Sequence, residues 1–122
     1  MGKRIRSFQY AGRGIRKAII SETNLQIHII ISLLVIIAGV FFGISSLEWM
    51  MCLLCIGMVI GLEMANTAIE KTVDLASPNL HPLAGSAKDI AAGGVLICSI
   101  IAAIIGLIIF IPKLLVYFNL EI

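Results

Sequence analysis

Glu63-Met64-Ala65-Asn66-Thr67-Ala68-Ile69-Glu70-Lys71-Thr72-Val73-Asp74 closes an apolar run long enough to cross a membrane, and it sets three carboxylates and an amide where lipid contact is expected. In a helix of about 3.6 residues per turn, Glu63, Asn66, Glu70 and Asp74 fall at i, i+3, i+7 and i+11, an arc of roughly 80° on one face. An ionised carboxylate at the edge of a hydrocarbon core costs on the order of several kcal/mol unless it meets protein, water, a cation or a ligand. The stripe therefore reads as a functional site. A plainer reading, a solvated helix end, stays open for Glu70 and Asp74, which lie nearest the water, and is weaker for Glu63 and Asn66.

The chain around this stripe has 122 residues, 60% of them hydrophobic, with a mean hydropathy of +1.08. That is too apolar for an ordinary soluble domain and too short for more than a few membrane spans. The expectation is one small all-α integral membrane domain over residues 1–122. Apolar runs at 25–46, 47–69 and 90–111 can each cross a core about 30 Å thick at about 1.5 Å per residue, which predicts three transmembrane helices. The first run follows a polar segment and lacks a small-residue cleavage pattern, so it is expected to be retained rather than removed as a signal peptide.

Lys3, Arg4, Arg6, Arg13, Arg16 and Lys17 all precede the first span, whereas the turn at 44–48 has no basic residue. The positive-inside rule then puts the N-terminus in the cytoplasm, with residues 70–89 on the same side and Lys113 on the other. As a helix, residues 5–20 align Ile5, Phe8, Gly12, Ile15 and Ile19 on one face and Arg6, Arg13, Arg16 and Lys17 beside it. This predicts that residues 1–24 form an amphipathic surface helix; a simple charged anchor explains the same pattern. A net charge of only +2 and a short basic cluster give no support to nucleic-acid binding.

Cys52 and Cys55 form a CxxC in an entirely apolar stretch and read, with Cys98, as packing residues. Gly39-x3-Gly43 and Gly57-x3-Gly61 permit close helix approach but are weak evidence. Pro78 and Pro82 break the helical pattern before the third span.

Glu22 and Glu70 are candidates for a hard-cation site, because Mg²⁺ takes oxygen ligands and commonly binds through one or two carboxylates plus substrate phosphates. His28 opens an apolar run and reads as a packing or interfacial residue; His81, in the polar loop, is better placed for ligand contact. Lys88-Asp89 is either a snorkelling pair or a phosphate and nucleotide contact. The sequence contains neither a Gly-x4-Gly-Lys-Ser/Thr loop nor the protein-kinase motifs, so any phosphoryl transfer must use a membrane-helix scaffold.

Glu63 to Glu70 followed by Asp74, with Ala87-Lys88-Asp89 opening the last span, resembles the prokaryotic diacylglycerol kinase family of small trimeric membrane lipid kinases. Ala11-Gly12-Arg13-Gly14-Ile15, Glu22-x-Asn24-x3-His28, Glu48-Trp49, His81-Pro82-Leu83 and the run from Ile105 to Pro112-Lys113 are similar to its Gram-positive branch, whose members phosphorylate undecaprenol. The resemblance covers nearly the whole chain. It implies a homotrimeric bundle in the bacterial plasma membrane, ATP as phosphate donor, Mg²⁺ as cofactor and a lipid alcohol as acceptor. It further implies Glu63 as general base, Glu22 and Glu70 as Mg²⁺ ligands that also meet ATP, and Tyr10, His81, Lys88 and Asp89 as ATP contacts. Asn66 and Asp74 support that cluster, and a basic contact falls to Lys3, Arg4 or Arg6. Family sites lie between subunits, consistent with the expectation that three short helices cannot shield the stripe alone.

Diacylglycerol is the alternative acceptor. A small ion or proton transporter is the alternative from another class, and a structural accessory subunit the third.

Overall fold

A computed structural model describes residues 1–120 as four α-helices: α1 (Gly2–Ser21), α2 (Thr23–Phe42), α3 (Ser46–Ala76) and α4 (Pro82–Tyr117). The last three are long and apolar enough to cross a membrane. All exceed or shift the apolar runs from which they were anticipated. α3 continues past residue 69 to Ala76 and α4 starts at Pro82 rather than at 90, because a helix does not end where it leaves lipid; it ends where its capping groups are. Pro82 occupies the first turn of α4, where its missing N–H is harmless, and His81 caps that end by accepting the Leu83 N–H at Nδ1, 3.1 Å away. Pro112 lies inside α4 without terminating it.

Two of the three connections are very short. Gly43 ends α2 in the left-handed region at φ 61°, which glycine adopts without a Cβ clash. Ser45 then starts α3 with a reciprocal cap: its hydroxyl accepts the Glu48 N–H, and Glu48 Oε1 accepts the Ser45 N–H at 3.0 Å. Glu48 Oε2 takes Lys113 Nζ at 2.7 Å, so one side chain both caps α3 and ties it to α4. At the other end of the bundle, Lys88 of α4 pairs with Asp74 of α3.

α3 packs along α4 for most of its length and more loosely on α2. Its buried residues, Cys52, Val59, Glu63, Asn66 and Thr67, fall on one stripe, so the acidic face is also the face turned into the bundle. Near the Glu48 end, Ile44, Cys52 and Ile109 form the core, covered by Val35, Phe42, Trp49, Ile105 and Phe110. Gly39 lets α2 meet Trp49 closely: a Cβ there stands 2.7 Å from the Trp49 ring tip and 3.1 Å from Ile44. Gly39→Ala should therefore destabilise the bundle by about 1–3 kcal/mol through overpacking. Thermal unfolding in detergent measures this; an unchanged melting temperature would mean that the ring swings aside freely.

α1 buries only Ala18 and leaves Ile5, Phe8 and Ile15 uncovered beside its arginines. That is the pattern of a helix lying in a bilayer surface.

Candidate active site

The break between α1 and α2 falls at Glu22, whose backbone is extended (φ −107°, ψ 109°) between two helices. Gln26 stabilises the break by donating from Nε2 to the Ile19 and Ile20 carbonyls at 2.8 and 3.3 Å, which would otherwise be orphaned at the end of α1. Leu25, 1% exposed, plugs the same corner. Glu22 is thereby held half-buried where α1, α2 and α3 converge.

Glu63 is 4% exposed and Asn66 7%, within a single chain. The expectation that one chain could not shield the stripe is corrected for these two residues, which the chain's own helices bury. It holds for the outer part, where Glu70 is half-buried and Asp74 exposed. Glu63 Oε2 lies 3.8 Å from His28 Nε2. The histidine expected to pack in the apolar run is thus the immediate neighbour of the buried carboxylate. Asn66 donates from Nδ2 to Glu70 Oε1 at 3.2 Å, while its Oδ1 is buried without a partner. Hence Glu63, His28, Asn66 and Glu70 form one contiguous polar seam.

The remaining predicted residues line the rim. Lys88 is bound to Asp74 across the helices, rather than to its neighbour Asp89, which is exposed. Tyr10 stands on the exposed α1 with the Arg13 guanidinium 5.6 Å over its ring. His81 is exposed and uses Nδ1 as the α4 cap. The structure thus brings Glu63, Asn66 and Glu70 together and joins Asp74 to Lys88, without placing Tyr10 or His81 in direct contact with them.

Among the described residues, no group of three or more His, Cys, Asp or Glu side chains could hold a metal by itself. Glu22 and Glu70 nevertheless fit Mg²⁺. Both present hard oxygen donors, neither forms an ion pair with a described Lys or Arg, and Mg²⁺ typically completes its shell with water and phosphate oxygens.

Beside this seam, α2 and α4 diverge over the middle of α3 and leave a cavity of about 250 Å³ lined by His28, Val35, Cys55, Val59, Ser99 and Gly106 among others. Its polar lining comprises His28, Ser32 and Ser99; sequence reasoning takes His28 for a packing residue and gives Ser99 no role. Neither can be recognised before the helix register is known.

Residues 9–110 match the family model described as prokaryotic diacylglycerol kinase. The chain is 49% identical over 109 residues to an undecaprenol kinase of Bacillus subtilis, covering 89% of each. It is 37% identical over 110 residues to a diacylglycerol kinase of Synechocystis, covering 89% of this chain and 63% of the relative, and 29% identical over 100 residues to one of Escherichia coli, covering 82% of each. The transporter and accessory-subunit alternatives give way to these findings. A buried carboxylate seam on a three-span helical scaffold, in a chain that matches a kinase family over most of its length, makes this protein a multi-pass bacterial membrane lipid kinase belonging to the prokaryotic diacylglycerol kinase family.

Proposed function

We propose that the chain transfers the terminal phosphate of ATP to undecaprenol, with Mg²⁺, at the cytoplasmic face of the membrane. The observation that carries this reading is Glu63, buried beside His28 on the same α3 face as Asn66 and Glu70, in a chain similar over most of its length to an undecaprenol kinase.

A primary alcohol holds its proton far above neutral pH, so that proton must leave as the new O–P bond forms. Glu63 accepts it, the lipid oxygen attacks the terminal phosphorus, and ADP leaves with the electrons of the broken P–O bond. His28 holds the carboxylate from one side and the α2–α3 packing keeps water from it. Glu22 and Glu70 would hold Mg²⁺, which when bound neutralises charge on the phosphates. Lys88 and Asp89 meet the nucleotide at the rim, with Asp74 steering the ammonium group and Tyr10 and His81 nearby. Asn66 orients Glu70. The basic α1 supports a cytoplasmic N-terminus. The rim at Glu70 and Asp74, polar groups left unshielded within one chain, supports a homotrimer, which crosslinking in membranes would count.

Phosphate transfer from labelled ATP, with Mg²⁺, to undecaprenol and to diacylglycerol side by side tests the reading. Preference for undecaprenol is expected. Preference for diacylglycerol, the acceptor named in two of the relatives above, would overturn the substrate and keep the chemistry.

A further inference from the structure

The two ion pairs that join α3 to α4, Asp74–Lys88 and Glu48–Lys113, fix the antiparallel register of these helices at both ends. Eleven residues inward from Asp74 on α3 stands Glu63, and eleven inward from Lys88 on α4 stands Ser99. Ser99 is therefore at the depth of Glu63, its hydroxyl is buried without a partner, and it lines the same cavity as His28. Three polar groups, from α2, α3 and α4, thus stand at one level, and two of them, His28 and Ser99, line the cavity.

From that level the cavity runs along α2 from His28 to Val35, about 10 Å of helix, and along α4 from Ser99 to Gly106. Below its mouth the lining is almost wholly apolar. α2 and α4 reconverge at its foot through the rings of Phe42, Phe110 and Tyr117. A Cβ built at Gly106 meets no atom within 4 Å, so that wall has room to spare.

We propose that this cavity is the seat of the hydrocarbon next to the acceptor hydroxyl, and that it admits a single isoprenoid chain. Ser99 and His28 then flank the hydroxyl at Glu63, and the first isoprene units lie between α2 and α4. Occupancy follows from continuity: the residue that touches the base, His28, is also the residue that opens the cavity. A polyprenol brings one chain to its hydroxyl, whereas a glycerolipid brings two, of which a half-open slot of about 250 Å³ would seat one and leave the other outside. This inference rests on the undecaprenol reading above and supplies its physical basis.

A homologous series of prenol, geraniol and farnesol tests it. For the wild-type protein, kcat/KM should rise with each isoprene unit that enters the cavity. Gly106→Leu should remove at least tenfold of that gain for farnesol, mainly in KM, so that farnesol loses its advantage over prenol measured in the same variant. The same chain-length dependence in both proteins would overturn the cavity. A wild-type protein inactive on every prenol but active on diacylglycerol would overturn the undecaprenol reading and the cavity together, so the two failures are distinguishable. Should Gly106→Leu fail to fold, farnesol carrying a diazirine on its terminal isoprene unit gives a readout on the wild-type protein. Labelling of Val35, Cys55 or Gly106 is expected, and labelling confined to the outward Leu33 and Leu107 would overturn the proposal.

Discussion

Glu63→Gln should abolish useful turnover, a loss on the order of 10²–10⁴-fold in kcat, the range set by removal of a general base. Glutamine matches glutamate in size and still offers a carbonyl oxygen toward His28, so the packing around this residue, 4% exposed, is preserved. What disappears is the group proposed to take the proton. The proposed nucleotide contacts lie farther along α3 and on the other helices, so KM for ATP should stay near its original value. Single-turnover transfer from labelled ATP, read beside equilibrium nucleotide binding, separates these two terms. An active Glu63→Gln protein would take the base assignment away from this residue.

Glu70→Gln should act differently. It keeps the chain folded and the base in place but removes a charged oxygen donor from the pair proposed to hold Mg²⁺. The Asn66 amide, which donates to Glu70 Oε1 at 3.2 Å, can still donate to the glutamine carbonyl, though the bond is no longer charge-assisted. Loss of a ligand or of its orienting partner typically lowers metal affinity about 10–100-fold. The expected result is a Mg²⁺ titration displaced to higher concentration by that factor, with much of the maximal rate recovered when Mg²⁺ is raised. A depressed rate that no Mg²⁺ concentration restores would instead put Glu70 among the groups that act on the reacting atoms.

The polar stripe was legible because spacing alone places Glu63, Asn66 and Glu70 on one helical face, and hydropathy alone reveals that the face belongs to a span. The surface helix was equally visible in the alternation of Ile5, Phe8, Ile15 and Ile19 with arginines. Contacts between helices were not visible. His28 looked like a packing residue because no local pattern says which α3 residue stands opposite it. Lys88 looked like a partner for Asp89 because adjacency in sequence is easier to see than the α3–α4 register that joins it to Asp74. Ser99 had no signal at all: a serine in a membrane helix is ordinary until its hydroxyl is found unpaired at the depth of a buried carboxylate. Helix ends were misplaced because apolarity marks where lipid stops, whereas Pro82, Gly43 and the Ser45–Glu48 cap mark where helices stop.

The two clasps between α3 and α4 turn the hairpin into a ruler. From Lys88 to Lys113 is about 38 Å of helix, longer than a hydrocarbon core of about 30 Å, so with the Glu48–Lys113 clasp in the far headgroup layer the Asp74–Lys88 clasp stands clear of the core and Glu63 stays in the near half of the bilayer. Because neither helix can slide past the other, a thicker bilayer must drag a charged pair inward and a thinner one must tilt the hairpin as a unit. Either change moves Glu63 relative to the plane where alcohol headgroups float. Turnover should therefore peak at one acyl-chain length of the host lipid and fall on both sides of it, making the enzyme a reporter of membrane thickness as well as a consumer of a membrane alcohol.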